Sequence, residues 1–339
     1  LINAGQPAGQ IDPIWRMLGS EHLSQMFYGP GPGGFPIGQD FQAALTLARN
    51  QLGTRMIRAH AILHDELGVY REVDGSPHYD FNGVDRIFDR LLDLGLRPVV
   101  ELSFMPHDLA ANPDATVFEY RAIVSPPRDW SRWAELIRRL TGHLVERYGI
   151  GEVRQWCFEV WNEPNLGIFW TGTQADYFQL YELTARAIKQ VDPTLRVGGP
   201  ATAAAGWINE FLDFAQRTGA PVDFISTHTY GNLPLNIREA ARRHGWDNLA
   251  IYWTEWGVSS THFKMINDSV FGAPFILHGM KHAQRRVDAL AYWVVSDHFE
   301  ELGRPQRLFH GGFGLLTIGN LRKPRFWAIA LAEQLGVYP

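Results

Sequence analysis

Three observations predict an α/β protein built as a single (β/α)8 TIM barrel. Short apolar runs alternate with longer amphipathic stretches almost to the end of the chain. The connections that follow the apolar runs are long and irregular, whereas those that precede them are short. The chain has 339 residues, enough for one such barrel with insertions. Strands are expected near residues 17–24, 54–62, 97–104, 154–161, 196–200, 224–230, 251–256 and 289–296. Helices are expected over 41–52, 84–94, 130–148, 174–190, 207–217, 236–244, 270–286 and 325–335. Right-handed crossovers would wind these units in order into one catalytic domain over 1–339.

The irregular connections follow the first strand (Gly29–Gly34), the second (64–79), the third (105–129, with Pro126 and Pro127) and the eighth (299–323, with Gly311, Gly312 and Gly314). The reverse connections at 94–96 and 149–152 are only a few residues long. A barrel enzyme carries its active site on the face built by the longer set. No internal repeat or low-complexity tract interrupts the pattern.

Composition excludes several other classes. The net charge of −5 lacks the basic surplus of a nucleic-acid binder. No apolar run reaches the roughly 18 residues that span a membrane. The single Cys157 rules out an internal disulfide framework. Leu1 is not an initiator methionine, so the amino terminus is expected to be trimmed, and the compartment stays open between cytoplasmic and periplasmic or secreted. The chain holds 12 Trp, 20 Phe and 11 Tyr, of which most belong to a core and some suit the apolar faces of sugar rings.

Chemistry concentrates at two strand ends. Side chains alternate faces along a strand, so Glu159, Trp161 and Glu163 of the fourth strand share one face. Pro164 ends that strand and leaves Glu163 at the barrel mouth. The same count on the seventh strand puts Ile251, Trp253 and Glu255 together, with Gly257 ending the run. Two carboxylates facing each other are what glycoside hydrolysis needs: one protonates the leaving oxygen and the other attacks the anomeric carbon. Their mutual repulsion would raise one pKa. Parity brings Arg58 and His60, then His228 and Tyr230, then Trp293 toward the same mouth. Arg58 or Tyr230 donating to Glu255 would keep it ionised, and Trp293 would floor the sugar pocket.

With these residues in view, the sequence resembles glycoside hydrolase family 39, the β-xylosidases and α-L-iduronidases. The matching segments are Phe158-Glu-Val-Trp-Asn-Glu-Pro-Asn-Leu166, Val197-Gly-Gly-Pro200, Asp223-Phe-Ile-Ser-Thr-His-Thr-Tyr230, Thr254-Glu-Trp256, Phe299-Glu-Glu301 and Gly311-Gly-Phe-Gly-Leu-Leu316. The resemblance implies a retaining glycosidase with Glu163 as general acid/base and Glu255 as nucleophile. It implies that Asn162 bonds the sugar 2-hydroxyl and that His60, His228, Tyr230, Trp293, Glu300 and Glu301 contact the sugar. An exo-acting β-xylosidase on β-1,4-xylosides is the leading expectation, with no metal or organic cofactor. Alternatives are an α-L-arabinosidase, an iduronidase-like enzyme or a non-catalytic carbohydrate-binding barrel. The expected partner is a small oligosaccharide or glycoside, with no nucleic acid and no membrane; an oligomer is left open. The family's β-sandwich accessory domain is expected to be absent or vestigial, and the 230–251 stretch is short for the family.

Other conspicuous residues read as structural. Glu101 and Glu159 are expected to bond Arg55, Arg58 or backbone amides inside the barrel, since a buried carboxylate needs such partners. Cys157 is expected to pack beside the helices, on the face opposite Glu163. His278 and His282 lie four apart but lack the glutamate of a His-Glu-x-x-His site. The prolines of Gly29-Pro-Gly-Pro-Gly-Gly34 remove amide donors that a phosphate cradle would use, so the segment reads as a stiff loop near the pocket.

Overall fold

A computed structural model describes residues 11–299, 301–305 and 307–335. Eight parallel strands close into a barrel: β1 (Met17–Ser20), β2 (Met56–Ala59), β3 (Arg97–Leu102), β4 (Cys157–Val160), β5 (Val197–Ala203), β6 (Phe224–Tyr230), β7 (Ala250–Gly257) and β8 (Ala289–Tyr292). Each strand pairs with its neighbours in sequence, and β8 closes on β1. Around it run α1 (Ile37–Gln51), α2 (Asn82–Asp93), α3 (Trp130–Tyr148), α4 (Gln174–Val191), α5 (Ile208–Thr218), α6 (Arg238–Arg243), α7 (Gly272–Ala283) and α8 (Pro324–Gln334). This is the (β/α)8 barrel that the alternation predicts.

Local chemistry sets the helix ends. Asp129 accepts from the Ser131 and Arg132 amides at the start of α3. Thr173 and Asp176 cap each other at the start of α4. Gly219 closes α5 in the left-handed conformation that glycine adopts without strain.

The barrel interior is layered. Met17, Val99, Cys157, Phe224, Tyr252, Ala289 and Ala291 form an apolar plug contributed by six strands. Cys157 therefore faces inward, not toward the helices: a residue two positions from Glu159 shares its side of the strand. Above the plug lies a polar layer in which Arg58 bonds Glu101 and Glu159, each at 2.7 Å. Both acids hold Arg58, as expected, while Arg55 donates to the Thr54 carbonyl instead.

A second buried ion cluster anchors the long connection after β8. The Lys323 ammonium lies 2.6 Å from Asp268, 2.7 Å from Asp297 and 3.0 Å from the Gly312 carbonyl. Arg325 donates to the carbonyls of Gly312 and Gly314 on the same segment. Two carboxylates from different connections thus share one cation. Lys323→Met should cost about 3–5 kcal/mol, because it leaves both acids buried without their cation. Urea unfolding at neutral pH measures this, and a loss under about 1 kcal/mol would show that the cluster is not a clamp.

Candidate active site

Glu163 and Glu255 both reach the mouth, but neither arrives by simple alternation. β4 ends at Val160, and Trp161 and Glu163 then adopt positive φ of 70° and 43°. Trp161 consequently turns away from the mouth to meet Trp133 of α3 and Trp170, and its indole donates to the Phe169 carbonyl. The expected common face of Glu159, Trp161 and Glu163 is thereby broken at its middle member. The Glu163 amide donates to Ala201 of β5 at 2.8 Å, which pins the residue against the rim. On β7 the pairing with β6 shifts, so that Thr227 faces Trp253 and His228 faces Glu255. The extra residue, Thr254, is a β-bulge that re-aims the side chains after it. Ile251 and Trp253 lie in the large cluster that includes the helices, and Tyr252 lies in the inner plug. The bulge, not parity, brings Glu255 inward.

Oxygens of Glu163 and Glu255 and a ring nitrogen of His228 lie within 4.8 Å of one another. Glu255 receives hydrogen bonds from Arg58 and, at 2.5 Å, from the Tyr230 hydroxyl. Burial alone would raise its pKa, but His228, Arg58 and His60 outweigh burial and bring the carboxyl down to about 2. Glu163 is bonded to His228 Nδ1 at 2.9 Å. His228 Nε2 is bonded to Thr254 at 3.1 Å. His228 is fully buried and sits behind Glu163, not on the cavity surface, so both ring nitrogens serve protein groups.

Arg58 lies beneath the mouth and also donates to Asn162 Oδ1 at 2.8 Å. That bond fixes the amide's orientation and leaves its NH2 group as the donor available to a ligand. Burial pulls the Arg58 pKa down, but Glu101, Glu159 and Glu255 raise it further, so it stays charged. His60 is bonded to Glu101 at 2.8 Å and lies 4.7 Å from the Trp293 ring. Gly19 of β1 makes room for that indole, since a Cβ there would sit 2.3 Å from it.

The carboxylates open into a cavity of about 600 Å³. Of the residues singled out from sequence, His60, Asn162, Glu163, Tyr230, Glu255, Trp293 and Glu301 line it. Glu300 lies outside the described residues. Sequence reasoning missed Phe118, Phe169 and His262 on the walls. Phe313, from the Gly311–Leu316 segment, lines it as well. The Glu301 carboxyl is pushed well above its ordinary value by burial and by Glu21, Glu255 and Glu163. It is bonded to His262, whose own pKa burial lowers to about 4. The Gly29–Gly34 loop does not reach this cavity; with Phe35, His298 and Leu308, its Gly31 and Pro32 line a separate one of about 340 Å³.

Among the described residues, two carboxylate–histidine clusters, Glu163–His228–Glu255 and Glu21–His60–Glu301, have donor atoms close enough for a cation. In the first, His228, Arg58 and Tyr230 already occupy three of the four carboxylate oxygens. No helix among the described residues is long and apolar enough to cross a membrane.

Comparison with known proteins agrees with this geometry. The family model described as glycosyl hydrolases family 39 matches residues 1–337. A β-xylosidase of Geobacillus stearothermophilus is 39% identical over 340 residues, covering 91% of this chain and 67% of its own. A β-xylosidase of Caldicellulosiruptor saccharolyticus is also 39% identical, covering 98% and 71%. Among solved structures, a monomeric β-xylosidase from Caulobacter crescentus CB15 superposes with a TM-score of 0.89 at 38% identity, covering 97% of this chain and 70% of the other.

Proposed function

Because the chain belongs to glycosyl hydrolase family 39 and is a glycoside hydrolase, we propose that it is a retaining exo-β-xylosidase acting on β-1,4-xylosides. The observation that carries the retaining mechanism is the approach of Glu163 and Glu255 to within 4.8 Å. Retaining enzymes hold the pair about 5–5.5 Å apart, and inverting ones leave about 6.5–9.5 Å for a water. Glu255, ionised and held by Arg58 and Tyr230, attacks the anomeric carbon. Glu163 gives its proton to the departing oxygen, then takes one from the water that releases the sugar. Asn162, oriented by Arg58, donates its amide to the 2-hydroxyl, and Trp293 offers a flat face to the ring. His228 acts through Glu163 as a positioning residue.

The xylose assignment is supported by the two β-xylosidase relatives and by the charge of the cavity. An iduronate carboxylate needs a cation. No Lys or Arg is among the described residues lining the cavity, whereas Glu163, Glu255 and Glu301 are. Aryl β-D-xyloside should therefore be cleaved at least about 100-fold faster than aryl α-L-iduronide, since an unpaired charge in such a site costs several kcal/mol. Proton NMR of the first-formed sugar should show the β-anomer. Release of α-xylose as the first product would end the retaining reading, and preferred cleavage of the iduronide would end the xylose one.

A further inference from the structure

A second pair of acids meets beside Glu163 and Glu255. Glu21 follows β1 and is fully buried. Its Oε1 accepts from the His22 amide at 3.1 Å and from the Tyr120 hydroxyl at 3.0 Å. Its Oε2 is buried and accepts from no N–H or hydroxyl donor. One oxygen of Glu21, one oxygen of Glu301 and a ring nitrogen of His60 lie within 4.8 Å of one another. Glu301 Oε2 is bonded to His262 Nε2 at 2.9 Å. The Glu301 carbonyl accepts from the Glu119 amide at 3.1 Å, next to the tyrosine that bonds Glu21. Segments after β1, β3 and β8 thus bring two carboxyl groups face to face.

Two ionised carboxylates can only accept hydrogen bonds, so a bond between them requires a proton. Buried like charges this close cannot both ionise without a cation between them. Among the described residues, neither acid forms an ion pair with a lysine or arginine. Glu21 faces His22, His60 and Tyr120. Glu301 faces His262, Tyr230, Glu255 and Glu163, and its side chain is hydrogen-bonded to that of Glu21. His60 gives Nδ1 to Glu101 at 2.8 Å, so any charge it carries is shared with a third acid. Burial pushes both carboxyls of the pair above their ordinary range.

We propose that Glu21 and Glu301 share one proton in a carboxyl–carboxylate hydrogen bond, which makes Glu21 a positioning residue for the sugar site. Glu301 lines the cavity and Glu21 does not. The shared proton turns a repulsion into a short, charge-assisted bond and leaves the pair one negative charge in place of two. With Glu21 on one side and His262 on another, the Glu301 carboxyl is fixed, and its remaining lone pairs can accept from a sugar hydroxyl. The part played in holding the sugar rests on the xylosidase reading; the sharing of the proton does not.

Urea unfolding of the full chain across pH counts the proton. Above the ordinary carboxyl value of 4.5 the unfolded chain has released it, whereas the folded wild type keeps it. Wild-type stability therefore carries a falling slope with pH that a lone acid would lack. A glutamine amide donates to the remaining carboxylate without a titrating proton. The folding constant of Glu21→Gln relative to wild type should thus rise by about tenfold per pH unit between about pH 5.5 and 8. Glu301→Gln should show the same rise, because either replacement removes the same proton. Parallel curves for wild type and both variants overturn the proposal. Wild-type stability raised by added Ca2+ or Zn2+, with neither variant responding, would put a cation in the proton's place and overturn it too. For the positioning role, Glu21→Ala should lower kcat/KM on an aryl β-xyloside by about tenfold, mostly through KM, and Glu21→Gln should recover most of that loss. Equal losses in the two variants would overturn that role. No hydrolysis by the wild type would end the xylosidase reading, while the unfolding curves would still decide the pairing.

Discussion

Glu255→Ala should lower kcat on an aryl β-xyloside by on the order of 10^5, because covalent catalysis disappears with the attacking oxygen. That is about 7 kcal/mol of transition-state stabilisation. The fold should survive, since Arg58 keeps Glu101 and Glu159 when the third acid is gone. Azide is small enough to occupy the vacated space and attack C1 from the same side as the lost carboxylate. Turnover should return on adding azide, and the product should be the α-xylosyl azide, inverted relative to the substrate. Near-wild-type hydrolysis by this variant would remove Glu255 from the nucleophile's role.

The same residue fixes a pH dependence. The folded carboxyl titrates at about 2, below the ordinary 4.5. A depressed acid stabilises the fold through its ionised form, fully above about pH 4.5. That contribution is lost as pH falls through about 2. Stability of the wild type should therefore fall more steeply across this window than that of Glu255→Ala. Acid titrations followed by tryptophan fluorescence measure the difference. Identical curves would contradict the depressed value.

The barrel was legible because each strand is a short apolar run flanked by turn residues, a pattern independent of tertiary detail. Strand ends were overestimated because the apolar runs continue into the rim: residues 154–161 read as one strand, but Cys157–Val160 is the paired part. The two glutamates that meet at the mouth were both picked out, yet alternation misplaced Trp161, Ile251 and Trp253. A bulge at Thr254 and positive φ at Trp161 depend on neighbouring strands, and a two-residue period cannot register either. Phe118, Phe169 and His262 come from connections with no periodicity, so only packing reveals them. Phe313 differs: it sits in the Gly311–Leu316 segment that marked the family, and its place on the cavity wall depends on the clamp around Lys323.

Glu163→Ala should separate the two carboxylates by leaving group. Loss of a general acid costs about 10^2–10^4 where the departing oxygen needs a proton. Cleavage of methyl xyloside or xylobiose should fall by that amount. Formation of the glycosyl-enzyme from a dinitrophenyl xyloside should hardly change, because dinitrophenolate leaves unaided. The second step also loses its base, so the glycosyl-enzyme should accumulate, giving a burst of dinitrophenolate and then a slow steady state. Azide needs no base and should speed that steady state. It meets a sugar already inverted once, so its product should be the β-xylosyl azide, opposite to the anomer from Glu255→Ala. His228 bonds Glu163 and Thr254 but faces no substrate, so its replacement should alter the pH profile of the first group of substrates far more than the rate on the activated one. If both glutamate variants gave the same azide anomer, the division of labour between Glu163 and Glu255 would be untenable, whatever their separation.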